Sequence, residues 1–372
     1  MPQPPAVLQV LPALISGGVE RGTIEIAQAL HEAGFRALVA SAGGPMVAEL
    51  EAVGARHVTL PLDRKSPLAL WRNSRALAGL VAAEGIAILH ARSRFPGWSA
   101  LRAARRSGAR FVTTFHGVYS EDLPGKRLYN SVMVRGDRVI AISEHVAAVI
   151  RDRYALGLDR LRIIPRGVDT VAFDPDAVSP ERLEDLRTDW KLPSGRPVVM
   201  LPARLTRWKG AAVLLQALAQ LRPTPPFAVL LGEGGFRAEL ESEVAALGLE
   251  ADVALPGVCR DMPAALLLAD LVVHASTKPE PFGRTVIEAQ AMLRPVIASD
   301  LGAPRETVEE GVTGWRVPPG DAAALAAAIR RALDLPPDAR AALGRQARDA
   351  VLRRYTTAAM QAATLDVYRE LL

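Results

Sequence analysis

The chain has 372 residues, of which 49% are hydrophobic and 23% charged. These ordinary globular values exclude a disordered or fibrous protein and leave room for two cores of roughly 150–200 residues each. The net charge is +5, and the single cysteine, Cys259, excludes an internal disulfide and a cysteine-based metal site.

The positive excess is local. Residues 64–138 hold 14 Lys+Arg against 4 Asp+Glu, whereas residues 185–372 hold 22 of each. Such a stretch usually faces something anionic. No apolar run reaches the about 18 residues that a spanning helix needs. Residues 1–5 have no basic start and no long apolar stretch, so a signal peptide is not expected. A lone thiol fits a reducing cytoplasm.

Apolar runs at 7–11, 37–40, 86–90, 110–115, 139–142 and 161–164 predict strands. Several are apolar on both faces, which suits a buried parallel sheet. Helical periodicity falls between them, at 19–33, 68–83, 97–106 and 144–154. After the first strand, Gly17 and Gly18 make a turn that opens a helix, where a doubly wound domain holds phosphate. The spacing is not G-x-G-x-x-G and no acidic residue closes the second strand, so a nicotinamide site is poorly supported. His116 ends the strand at 110–115, a position that favours a cleft role, although a lone histidine is more often structural.

Residues 173–196 contain Pro175, Pro180, Pro193 and Gly195 and read as a linker. The expected domains are 1–175 and 196–356, joined by 176–195. Asp174 and Asp176 resemble the D-x-D signature of metal-dependent transferases, but their Pro-rich setting argues against that role. His31, His57, His90, His145 and His274 lack metal-ligand spacing, so no metal is expected.

The strand–helix alternation then restarts. Strands are expected at 198–201, 228–231, 252–255, 271–274 and 295–298, and helices at 211–221, 236–247, 262–268, 284–292 and 322–333. Two further helices are expected at 338–355 and 357–371. The pattern run twice means two doubly wound α/β domains.

Arg204 and Lys209 follow the first strand of the second half, a fork and a point charge that suit a diphosphate. The turn with Gly232, Gly234 and Gly235 permits close backbone approach, and a nucleobase could lie on the backbone around Gly257 and Val258. Glu280 and Glu288 flank Phe282 and Gly283 at the start of a helix, whose free N–H groups and dipole attract phosphate. One carboxylate would suit a ribose diol and the other the hydroxyls of a sugar.

In this order the motifs resemble a retaining glycosyltransferase of the GT-B fold, within glycosyltransferase family four. The resemblance spans nearly the whole chain: the turn at Gly17–Gly18, His116, the run from Ile164 to Asp169, the Arg204/Lys209 pair and the Glu280/Glu288 element. The chain departs from the common pattern at Arg166, where the family more often has Asn, and at Pro281, where it commonly has Gly.

The resemblance implies two facing Rossmann-like domains with the donor, a nucleotide-diphosphate sugar, in the interdomain cleft. The first domain would hold the acceptor, and the last helix, 357–372, would return to it. Glu288 would bind the ribose and Glu280 the donor sugar. His116 would contact an outer sugar hydroxyl. Arg204, Lys209 and the helix start with Gly283, Arg284, Thr285 and Val286 would stabilise the leaving diphosphate, with no catalytic metal and no cofactor. Gly17, Gly18, Gly234, Val258 and Phe282 complete the expected donor contacts. The acceptor hydroxyl would attack on the face that the diphosphate leaves, its proton passing to a phosphate oxygen, so no dedicated base is required.

The acceptor is expected to be a glycolipid, lipopolysaccharide or polysaccharide precursor, met on a cytoplasmic membrane face. Arg64, Lys65, Arg72, Arg92, Arg94, Arg102, Arg105, Arg106, Lys126 and Arg127 would form the basic surface that meets it. Two other readings compete. A nucleotide-sugar epimerase or hydrolase would act on the donor alone. A basic nucleic-acid-binding protein is disfavoured, because aromatics are only 5% and none interleave with these arginines as a stacking array.

Overall fold

A computed structural model of the chain describes residues 4–372. The first three residues of the 1–5 segment, where no signal peptide is expected, lie outside the described residues. The chain divides into two units, one ending at Arg166 and rejoined by Ala358–Leu372, the other Gly167–Thr357.

The first unit is built on seven parallel strands: β1 (Ala6–Val10), β2 (Arg36–Ser41), β3 (Arg56–Thr59), β4 (Ile86–Ala91), β5 (Arg110–Phe115), β6 (Arg138–Ala141) and β7 (Leu161–Ile163). Their order is β3-β2-β1-β4-β5-β6-β7. The chain therefore reverses direction of winding between β1 and β4, which pair with Val10 opposite Ala91. The loops leaving these two strands open a crevice at the switch point, where ligands of open α/β sheets bind. Every residue of β1 is buried, as a central strand covered on both faces must be.

The last helix, Thr357–Arg369, packs into this unit. Met360, Leu365, Val367 and Tyr368 join the core that holds Leu11, Leu30 and Val39. Tyr368 meets Nδ1 of His90 at 2.6 Å, and Gln361 donates to the carbonyl of Glu25 at 2.7 Å. Glu370 accepts from Arg138 and Arg162 at 2.7 and 2.8 Å.

The second unit has six parallel strands: β8 (Val198–Pro202), β9 (Phe227–Leu231), β10 (Val253–Gly257), β11 (Leu271–His274), β12 (Val296–Ser299) and β13 (Gly314–Val317). Their order, β10-β9-β8-β11-β12-β13, puts the switch point between β8 and β11. Apolar side chains fill both faces of this sheet.

The segment 176–195, expected as a linker, is different. It carries the helix Pro180–Asp189, capped by Ser179 and clamped onto its own unit by Arg182, which grips Asp261 at 2.6 Å. Proline is favoured at a first helical position, so Pro180 starts a helix where it reads as a breaker. The change of unit falls at 166–167, ahead of residue 175. Two strands were also not expected. β3 is short and half-exposed, and β13 follows a loop with no alternating pattern.

Candidate active site

In the second unit the loops after β8, β9 and β11 lean on one another at the carboxyl end of the sheet. Leu205 donates to the carbonyl of Glu233 at 2.9 Å, and Phe236 to that of Leu205 at 3.1 Å. Gly234 permits this approach, since a Cβ there would lie 2.1 Å from the Leu205 carbonyl oxygen. Thr277 donates to the carbonyl of Trp208 at 2.8 Å, tying the β11 loop to the turn that carries Lys209.

Lys209 and Glu280 form an ion pair at the centre of this arrangement. Glu280 is 5% exposed, and Ser276 also donates to it at 2.8 Å. His274 Nε2 lies 3.4 Å from the same oxygen, a charge contact when the ring is protonated rather than a hydrogen bond. Burial pushes the Glu280 carboxyl up, but His274 and Lys209 outweigh it and hold the pKa at about 2. The carboxylate is therefore fixed in place and ionised. Arg204, in the same loop as Lys209, is exposed.

Gly283, in the left-handed region at φ 84°, opens the helix Arg284–Ala291. Glu288 sits one turn inside it, its side chain 12% exposed and 3.3 Å from Arg284. Two expected contacts are corrected here. Phe282 is buried and meets Tyr355 edge-on at 5.9 Å, so its ring braces the turn and is not offered to a ligand. Val286 is buried, and its N–H is already taken by the carbonyl of Gly283 at 3.0 Å. Val258 is 71% exposed, at the end of β10 beside Gly257.

In the first unit, exposed Gly17 and Gly18 start the helix Gly18–Glu32. Arg166 donates to the carbonyl of Gly18 at 2.5 Å and to Nδ1 of His116 at 3.2 Å. A guanidinium only donates, so Nδ1 accepts and the His116 proton sits on Nε2. That Nε2–H is buried without a partner. Burial, reinforced by the charges of Arg166 and Arg92, holds the His116 pKa well below its usual value. His116 is thus a neutral hydrogen-bond donor.

Sequence reasoning missed Arg92, Ser276 and His274 as partners in these clusters. Arg92 stood among the expected surface groups but is 3% exposed. Arg94 also turns inward, bonding Asn130 at 2.8 Å and covering the Tyr119 ring at 4.2 Å. Asp174 caps a turn at Asp176 and accepts from Arg348 at 3.2 Å.

The first unit matches the family model Glycosyltransferase Family 4 over residues 16–172, and the second matches Glycosyl transferases group 1 over 183–350. A solved glycosyltransferase from Rickettsia africae ESF-5 is 35% identical, with a TM-score of 0.93, covering 99% of this chain and 98% of that one. HepE from Anabaena, solved with UDP and glucose, is 26% identical with a TM-score of 0.84, covering 98% and 99%. The D-inositol 3-phosphate glycosyltransferase of Xylanimonas cellulosilytica is 29% identical over 393 residues, covering 95% of this chain and 92% of its own length. The two Rossmann-like sheets and these matches along nearly the full length place the chain in glycosyltransferase family 4, with the GT-B fold.

Proposed function

We propose that the protein transfers a sugar from a nucleotide-diphosphate sugar to a hydroxyl acceptor, with retention of configuration and without a metal ion. The observation that carries the donor reading is the meeting of Lys209, Glu280 and the Gly283 helix start at the carboxyl end of the second sheet. HepE, which shares this fold, was solved with UDP-glucose.

In this reading Glu288 takes the ribose hydroxyls and Glu280 a hydroxyl of the donor sugar. The departing diphosphate gathers negative charge as the glycosidic bond breaks. Arg204, Lys209 and the first N–H groups of the Arg284–Ala291 helix oppose that charge, and such preorganised donors stabilise a transition state strongly. Lys209 would turn from Glu280 to the phosphate as the donor arrives. His116, neutral and carrying its proton on Nε2, donates to a sugar hydroxyl. The acceptor hydroxyl attacks on the leaving-group face and passes its proton to the departing phosphate oxygen, so no separate base is needed.

The acceptor is a glycolipid, lipopolysaccharide or polysaccharide precursor, met at an anionic membrane surface on the cytoplasmic side. The exposed groups Arg64, Lys65, Arg72, Arg102, Arg105, Arg106 and Arg127 support that surface. Leu68 and Trp71, 55% and 44% exposed, lie among them. Among the described residues no helix is long and apolar enough to cross a membrane.

Calorimetric titration with UDP-, GDP- and ADP-sugars tests the donor. One of them should bind, and turnover with it should survive EDTA. No binding by any nucleotide sugar sinks the donor reading. Loss of turnover on chelation, restored by Mg²⁺ or Mn²⁺, sinks the metal-free one. Sugar release without an acceptor would favour hydrolysis instead.

A further inference from the structure

The first unit holds a second concentration of positive charge, and this one is buried. Arg92 and Arg166 are 3% and 6% exposed. Arg92 opens the loop after β4, and Arg166 follows β7 by three residues. Both guanidinium groups reach the first turns of the Gly18–Glu32 helix. A methyl group on Gly22 would lie 2.0 Å from Nη1 of Arg166 and 3.0 Å from Nη2 of Arg92. Gly22 is what lets two like charges share this spot.

Burying two guanidinium groups side by side is unfavourable unless something anionic repays it. Glu20 and Glu25 are the carboxylates whose charge Arg92 feels, and burial still lowers the Arg92 pKa to about 10. Arg92 Nε has no hydrogen-bond partner, and neither has the Nε2–H of neighbouring His116. Two buried donors of this cluster, Arg92 Nε and His116 Nε2, thus stand ready for an acceptor atom. They stand at the β1/β4 switch point, beside Gly17 and Gly18, where an open α/β sheet takes its ligand. A planar fork of guanidinium donors recognises the oxygens of phosphate or carboxylate.

The donor's diphosphate already has Arg204, Lys209 and a helix start in the other unit. We infer that the acceptor carries its own anionic group, a phosphate or a carboxylate, and that Arg92 and Arg166 bind it in the crevice of the first unit. The inference rests on the transferase reading and names the chemical class of its acceptor. It adds a local recognition site to the exposed basic surface, which steers but does not select.

The test uses the full chain and inorganic phosphate as the probe, with UDP held at saturation so that the diphosphate cradle is filled. Ligands that bind only the folded state raise its melting temperature. Phosphate should raise the melting temperature of the wild type more than chloride does at equal ionic strength. Arg166→Asn and Arg92→Gln should each weaken that response by at least about tenfold in phosphate concentration. Their response to UDP alone should match the wild type. Arg166→Asn, which puts a shorter polar side chain beside Gly22, keeps the test decisive if Arg92→Gln does not fold. An unchanged phosphate response in the variants, or none in the wild type, overturns the proposal. Loss of the UDP response in Arg166→Asn also overturns it, by assigning the cluster to the donor's diphosphate. A wild type that ignores UDP is retested with GDP and ADP; no response to any of the three defeats the donor reading by itself and leaves the phosphate comparison standing.

Discussion

At the scale of single residues, the Lys209–Glu280 pair has two duties. It is proposed to serve the donor, and it also neutralises a carboxylate that is 5% exposed. Removing one partner of a buried pair leaves the other uncompensated, at a cost of about 3 kcal/mol. Lys209→Met should therefore lower both turnover and folding stability. The pH dependence fixes the sign. Glu280 is depressed from 4.5 to about 2, so its contribution is present above pH 4.5 and is lost as pH falls towards 2. The stability gap between wild type and Lys209→Met, read from urea denaturation, should narrow between pH 5 and pH 3. A gap that stays constant would falsify the assigned pairing. Glu288→Gln should behave differently. Its ion pair with Arg284, one turn away on the same helix, contributes only about 0.5 kcal/mol, and glutamine keeps the size and reach of the side chain. Stability should barely change, while nucleotide-sugar binding weakens by about 1.5–3 kcal/mol in a calorimetric titration. Unchanged donor affinity removes the ribose assignment. The eight-residue spacing of Glu280 and Glu288 was legible in the sequence because both lie on one turn-and-helix segment. The pairing with Lys209 was not legible, because 71 residues separate the two. Only the parallel sheet, which sets β8 beside β11, brings them together.

At the scale of elements, most strands and helices follow from period and apolar runs, because buried parallel strands are apolar on both faces. The failures have local causes. β3 spans four residues, none of them fully buried, so it leaves no apolar run to read. The helix Pro180–Asp189 hid behind its own proline. Loop positions carry the sharper constraint. Gly210 adopts φ 77°, and a Cβ there would lie 1.9 Å from the carbonyl oxygen of Ala275. It lets the β8 loop press against the end of β11 and so sets where Lys209 points. Gly210→Ala should cost about 2 kcal/mol or more, from strain and displaced backbone together. It should weaken donor binding as well. Gly235, one loop away, has no atom within 4 Å of the same position and no positive φ. Gly235→Ala is the matched control and should be nearly neutral in thermal denaturation. Equal melting temperatures for the two variants would mean that the Gly210 turn relaxes freely.

At the scale of the whole molecule, the net charge of residues 64–138 was plain in the sequence, but its disposition was not. A count cannot separate a buried arginine from an exposed one, and the fold divides them. Arg92 goes to the crevice and Arg94 to the aromatic rings, while Arg102, Arg105 and Arg106 stay on the surface at the end of the helix Arg94–Ser107. Among the described residues these three make no ion pair, so their field reaches into solvent. Each basic group near an anionic membrane contributes about 1 kcal/mol, and the attraction fades within a Debye length of about 8 Å at physiological salt. Co-sedimentation with liposomes should therefore rise with the fraction of anionic lipid and fall as salt is added. Reversing all three to glutamate should abolish most of that binding. The substitutions lie on exposed positions, so the melting temperature and the affinity for the nucleotide sugar should stay within experimental error of the wild type. If the reversed protein sediments as well as the wild type on anionic vesicles, these arginines are a solvated face and the membrane contact lies elsewhere. If it loses vesicle binding yet acts unimpaired on a soluble, anionic acceptor, steering by the surface and recognition in the buried crevice are separate functions of the same unit.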